Sequence, residues 1–357
     1  MTPRPPDRDD RDDRDDRDDP DEPDDIELDG EPADDAGGAA SPGEHRFVVD
    51  AAAAGERIDA LVAAIVPALS RAQVQRLIDD AQLRVNDVAV VKPGQRVRTG
   101  DAVVVAVPAP ASIEVVAEDI PLVVLHEDRD IIVIDKPAGM VVHPAAGHPR
   151  GTLVNALLFH CKDLSGIGGA LRPGIVHRLD KDTSGAMVAT KNDRAHAAVS
   201  AAFAAKSRGE SGGILREYLG IAAPPPPAAA GTLRTYHGRH PTDRKRFSSR
   251  VVTGKPAVTH WTVVEALRGA AVVRFRLETG RTHQIRVHAA DHGWPLVGDT
   301  LYGRAPRPLA AIAGQLGRQA LHAAVLELEH PTTGARLRFE SPLPADLARA
   351  LHQLRGM

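Results

Sequence analysis

A single cysteine, Cys161, in 357 residues excludes an intramolecular disulfide framework, and no Cys/His spacing matches a structural zinc site. His160-Cys161 is therefore read as an incidental pair rather than two metal ligands. Aromatic residues make up only 3% of the chain, too few for an aromatic stacking surface, so any contact with nucleic acid is expected to be ionic and shape-based. No run of 18 apolar residues is present, which excludes a membrane-spanning helix of ordinary length. The N-terminus is a charged repeat rather than a basic and then apolar signal sequence. A cytoplasmic protein without a membrane partner is expected.

Charge is abundant but unevenly placed. The formal net charge of −4 hides a first segment of 44 residues with 19 acidic and 5 basic side chains. The remainder carries 39 Lys and Arg against 29 Asp and Glu, about +10, which suits a polyanionic partner through counterion release. Residues 1–44, with Arg-Asp-Asp triplets between Arg8 and Asp19, have almost no large apolar side chains to offset the entropy of ordering. A disordered, solubilising acidic tail is expected there.

Residues 45–108 read as a small module. Ile58, Leu61, Val62, Ile65 and Val66 follow helical spacing, and Ser70-Arg71-Ala72-Gln73 makes a capping box for a second helix carrying Val74, Leu77 and Ile78. Leu83–Asp87 reads as a strand entering a turn, and Gly100-Asp101 precedes the strand Ala102–Val107. Two short helices followed by small strands, with Arg57, Arg71, Gln75, Arg76 and Arg84 available on the surface, resemble the S4 RNA-binding domain. Residues 109–119 supply a linker.

From residue 120 to 357 strands mix with helices. Val123–Leu125, Ile131–Asp135, Ala186–Thr190 and the alternating Val273, Phe275 and Leu277 read as strands. Asn192 or Asp193 caps an Ala-rich helix, Ala323–Glu329 and Ala335–Glu340 form a hairpin, and Pro344 opens a terminal helix. Regular βαβ alternation is missing, so the expected fold is α+β, with a mixed, mainly antiparallel sheet and flanking helices.

Two polar concentrations carry candidate chemistry. In His177-Arg178-Leu179-Asp180-Lys181-Asp182-Thr183-Ser184-Gly185, basic neighbours favour the ionised Asp180 carboxylate, which suits a nucleophile or base; a simple Asx turn is the competing explanation. A calcium loop fails because its twelfth position is Lys191 where a Glu is required, and a kinase loop fails because no Gly-rich phosphate loop or Asp-Phe-Gly accompanies it. In Thr279–His288, a cap at Thr282 would place His283, Arg286 and Val287 on one helix face, where a cation could meet a carboxylate.

The His177–Gly185 stretch, Lys136-Pro137-Ala138-Gly139, Gly280–His288 and Pro295–Gly303, in that family's order, resemble the RluA family of pseudouridine synthases. The S4-like module is a common companion, and Gly238–Thr242 with Gly254–His260 is similar to the RluD branch, which acts on large-subunit (23S) ribosomal RNA. The resemblance implies isomerisation of uridine through base flipping, with RNA as partner, no DNA, no metal and no cofactor; a monomer is expected. It implies that Asp180 is the catalytic Asp, that Arg286 pairs with it, and that Tyr218 of Arg216-Glu217-Tyr218 faces the base with Ile285 nearby. Arg178 would fill the gap left by the flipped base. Arg281, His177, Lys136, Arg71, Arg76 and Arg239 complete the residues expected to hold substrate or RNA. A tRNA synthase and a non-catalytic ribosome-assembly factor are the alternatives. Ser207–Ile214 and Pro224–Pro227 depart from the family's pattern, the latter where it usually continues a strand.

Overall fold

The computed structural model describes residues 43–357 apart from positions 68, 109–114, 145–147, 162–163, 165–173, 211–212 and 244. The expected disordered tail, up to residue 42, and much of the linker lie outside the described residues, as does Arg244. The chain divides into two compact units at Ile113/Glu114.

The first unit opens with a strand, β1 (Gly43–Val48), followed by α1 (Ile58–Ile65), α2 (Arg71–Asp79), β2 (Leu83–Val85), β3 (Val88–Ala89) and β4 (Ala102–Val107). Its antiparallel sheet runs β1-β4-β2-β3. The boundary placed after residue 44 is therefore corrected, since β1 pairs with β4 along its whole length, from Gly43 opposite Val107 to Val48 opposite Ala102. The capping box forms as expected: Gln73 N–H donates to Ser70 Oγ at 3.3 Å, and Ser70 N–H donates to Gln73 Oε1 at 2.7 Å. Asn86 and Asp87 take positive φ (51° and 64°) in the turn between β2 and β3, a conformation these two residue types tolerate better than most. Ile58, Val62, Val74, Ile78, Leu83, Val103 and Val105 are buried together in one core.

The second unit contains β5 (Val123–Glu127), β6 (Ile131–Lys136), α3 (Leu153–His160), β7 (Ser184–Thr190), α4 (Asp193–Ser207), β8 (Leu215–Ala222), β9 (Ala230–Arg239) and β10 (Phe247–Ser248). It continues with β11 (Lys255–Leu267), β12 (Ala270–Leu277), α5 (Gln284–Asp291), a short 3-10 turn Arg307–Leu309, α6 (Ala310–Leu316), β13 (Leu321–Glu329), β14 (Arg336–Glu340) and α7 (Ala345–Arg355). Ten strands form one sheet in the order β10-β9-β11-β12-β8-β13-β7-β6-β5, with β14 added beside β13. Among the described strands only the β13–β7 ladder is parallel, so the mixed, mainly antiparallel α+β architecture holds. The Pro224–Pro227 run lies between β8 and β9, where no ladder bond is asked of it. Residues 115–119, expected as linker, belong to this unit: Glu118 N–H donates to Asn155 O at 2.9 Å, and Asn155 Nδ2 donates to Val116 O at 2.7 Å.

The parallel junction positions the rest. Across neighbouring strands Tyr218 stands opposite Ala323, and Ala323 opposite Gly185, so β8 and the segment leading into β7 come together there. Gly185 has φ 122°, and a Cβ built on it would lie 2.2 Å from Ala323 O. Gly185→Ala is expected to destabilise the protein by about 1–3 kcal/mol through strain and forced separation of the strands; thermal melting would show it, and an unchanged midpoint would contradict the close approach.

Candidate active site

Asp180 lies in a tight turn just before β7, closed by Thr183 N–H donating to Asp180 O at 3.0 Å. Two buried cations grip that turn from opposite sides in sequence. Lys136, at the end of β6, is fully buried and donates from Nζ to Pro137 O (2.8 Å), Met140 O (2.8 Å) and Lys181 O (2.9 Å). Burial draws its pKa down to about 7 against the pull of Asp180 and other acids. Arg318, just before β13, donates to Asp182 O at 3.0 Å while Asp346 at the start of α7 holds its Nε at 2.7 Å. Lys136 is thus corrected from an RNA contact to a strut, because all three of its N–H donors are spent on carbonyls inside the protein.

Arg286 reaches the turn from α5. Its Nη1 donates to Asp180 Oδ2 at 3.2 Å, while Nε and Nη2 bind the two oxygens of Asp299 at 2.9 and 3.2 Å. Asp299, a residue to which the sequence reading gave no role, has no exposed side-chain surface and also accepts the Leu301 and Tyr302 N–H groups. The Arg286 guanidinium is thereby fixed in two directions, and its carbon sits 5.1 Å from the Tyr302 ring centroid. Burial alone would raise the Asp180 pKa, but the charges of His283, Arg286 and Arg178 and the Arg286 hydrogen bond outweigh it and hold the carboxyl below its ordinary value. With a side chain 18% exposed, Asp180 is an ionised carboxylate that is still reachable.

The helix carrying Arg286 begins later than its sequence suggests. Thr282 is not the cap: α5 starts at Gln284, with His283 before it in the left-handed region at φ 54°. The cause is Gln284, whose Oε1 accepts from Thr279 Oγ1 (2.7 Å) and Arg281 N–H (3.0 Å) while Nε2 donates to Val258 O and Thr259 Oγ1. These bonds tie the helix start to β11 and turn His283 towards Tyr302, with Nδ1 and the hydroxyl 2.8 Å apart.

Asp180, Tyr218, Arg286, Ile285, Arg178, Arg281 and His177 all line one pocket. Tyr218 and Ile285 are buried in its wall, and burial raises the Tyr218 pKa, so its hydroxyl stays neutral. His177 stacks on Phe203 at 4.6 Å and accepts the Val188 N–H at Nε2; burial, with the charge of Arg216, lowers its pKa to about 3, so the ring is neutral. Arg239 stays outside this pocket, exposed on β9 and stacked 4.5 Å over Phe247. Arg71 and Arg76 belong to the first unit. There Arg71 and Arg57, both about half exposed, are held by Asp59, a carboxylate with no exposed surface. Hydrogen bonds from Arg57 lead in lowering the Asp59 pKa to about 2, with Arg71 adding to them against burial. Asp59 escaped the sequence reading, although an acidic residue among the apolar positions of α1 was a usable signal.

This geometry offers an ionised carboxylate, a fixed guanidinium and a neutral phenol around one cavity, which suits chemistry on a sugar and base drawn out of a nucleic acid. The family model described as RNA pseudouridylate synthase matches residues 130–291, which include Asp180, Tyr218 and Arg286, and an S4 domain model matches residues 56–103. The uncharacterized RNA pseudouridine synthase YlyB of Bacillus subtilis is 46% identical over 302 residues, covering 84% of this chain and 94% of that protein. Ribosomal large subunit pseudouridine synthase D of Pseudomonas aeruginosa is 44% identical over 312 residues, covering 84% and 92%. Among solved structures, human RNA pseudouridylate synthase domain containing 4 is similar at a TM-score of 0.50 and 27% identity, over 65% of this chain and 93% of that one. The chain belongs to the RNA pseudouridylate synthase family, with an S4 domain ahead of its synthase domain.

Proposed function

We propose that this RNA pseudouridine synthase modifies uridines of large-subunit (23S) ribosomal RNA, in the cytoplasm and as a monomer. The observation that carries the reading is Asp180, ionised, reachable and held by Arg286 in a pocket walled by Tyr218 and Ile285. The reaction breaks the N1–C1′ bond of uridine and joins C1′ to C5; the C5 hydrogen is lost as a proton and N1 gains one. Asp180 serves this either by attacking C1′ or by removing the C2′ proton, and both routes require the ionised form at the ribose. Tyr218 and Ile285 pack against the flipped base, Arg178 occupies the gap it leaves, and Arg281 and His177 border the same cavity. The chemistry asks for no cofactor. Arg71 and Arg76 of the S4 unit and Arg239 at the surface supply phosphate contacts to the surrounding RNA. The ribosomal target is supported by the likeness to large-subunit synthases.

Purified full-length protein incubated with 23S rRNA and tRNA transcripts should form pseudouridine in the 23S RNA, read by carbodiimide adduct stops in primer extension. Formation in tRNA alone would reject the ribosomal target, and none in either RNA would reject the enzyme reading.

A further inference from the structure

Arg216 is a charged side chain buried in the pocket wall without a carboxylate. It lies on β8 two residues before Tyr218, so both side chains leave the same face of the strand, and both line the pocket with Asp180. The residue is only 7% exposed, yet among the described residues its side-chain hydrogen bonding amounts to one long contact, Nη2 to Glu278 O at 3.4 Å. Among the described residues its Nε–H has no acceptor and no acid stands within ion-pair distance of it. The guanidinium lies 5.4 Å from the Phe203 ring, and a Cβ at Gly280 would fall 2.5 Å from Nη1, so the missing side chain at that position makes room for it. His177, on the same wall and also over Phe203, accepts at Nε2 and so carries its proton on Nδ1, which among the described residues has no partner either.

Burying a guanidinium without an anion is costly, and unsatisfied buried donors are uncommon enough to require an explanation. A neutral uracil carbonyl would satisfy a hydrogen bond but leave the charge uncompensated. On the nucleotide drawn into this pocket, the anionic group is the phosphodiester, and a guanidinium matches it with paired N–H donors. The geometry points to Arg216 as the residue that receives a phosphate flanking the flipped uridine, with the His177 Nδ1–H beside it. This rests on the synthase reading of the pocket, which it deepens: the enzyme recognises the target nucleotide's own backbone inside the site, as well as RNA at its surface.

The test uses full-length protein and a short 23S rRNA fragment around a uridine that the wild-type enzyme modifies, made with natural phosphates or with an uncharged methylphosphonate on the 5′ or 3′ side of that uridine. If the wild type modifies no RNA, the synthase reading itself fails before the phosphate is examined. On natural RNA, Arg216→Gln is expected to lower kcat/KM by roughly 10- to 100-fold, the range of a charge-assisted hydrogen bond. Methylphosphonate at one of the two positions should cost the wild type a similar factor and cost Arg216→Gln almost nothing further. Full activity of Arg216→Gln, a wild type indifferent to both substitutions, or equal losses in both proteins at each position would overturn the proposal. If Arg216→Gln does not fold, Gly280→Ala serves in its place: the added methyl displaces the guanidinium while its charge stays, and sensitivity to the methylphosphonate should be lost in the same way. Sensitivity kept in full by that variant would overturn the assignment.

Discussion

Asp180→Asn is expected to stop pseudouridine formation, lowering the rate by roughly 10³-fold or more, while leaving the fold and the RNA affinity in place. The amide matches the carboxylate in shape and its oxygen can still accept from Arg286 Nη1, and Asp299 continues to neutralise Arg286. Stability should therefore move little, which a thermal melt would show, and a filter-binding isotherm on the same RNA should shift by less than a few-fold. The wild-type pH profile carries a related expectation. Because the Asp180 carboxyl is held below its usual range, the reactive ionised form persists on the acid side, and kcat/KM falls only as the pH drops through that lowered value. An acid limb centred above the ordinary Asp range would contradict the electrostatics of the site.

Arg286→Met should cost both folding and catalysis. Asp299, with no exposed side-chain surface, would be left as a buried carboxylate without its cation, and removing one partner of such a pair typically costs about 3–5 kcal/mol. Asp180 would simultaneously lose one of the charges that lower its pKa, so any remaining activity should show its acid limb at higher pH than wild type. Arg286→Lys keeps a charge but cannot bridge two carboxylates through separate edges of a planar fork, so it should recover part of the stability and little of the rate. Denaturant melts read the first effect and pH–rate profiles the second. A fully stable, fully active Arg286→Met protein would show that the Asp180–Arg286–Asp299 chain is incidental.

Short-range features of the fold were legible in the residues. The Ser70 capping box, the Asn192 cap, the strand at Ala102–Val107 and the Ala323–Glu340 hairpin follow from local hydrogen bonding and periodicity, and each formed. β1 escaped because Gly43–Val48 is an edge strand of exposed and half-buried residues whose place is set by β4, far along the chain. The same distinction runs through the site. The His177–Gly185 stretch identified Asp180, but its meeting with Arg286 spans 106 residues, and the grip of Lys136 and Arg318 on the turn depends on carbonyl directions that no residue pattern encodes. Lys136 differs from its expected role for that reason: a lysine in such a motif suits a phosphate contact, but its three acceptors are backbone carbonyls. Asp299 and Asp59 are not distinguishable by residue type, because exposure is what separates a solvated acid from one buried to orient an arginine.

The central claim is that Asp180 makes pseudouridine in large-subunit ribosomal RNA, and the most direct measurement is a pseudouridine map of total RNA from cells lacking this protein, complemented with either wild type or Asp180→Asn. Specific 23S rRNA positions should be modified with the wild type and remain uridine with Asp180→Asn at equal protein abundance. Restoration of those positions by the Asp180→Asn protein, or maps that differ nowhere in 23S rRNA, would contradict the account.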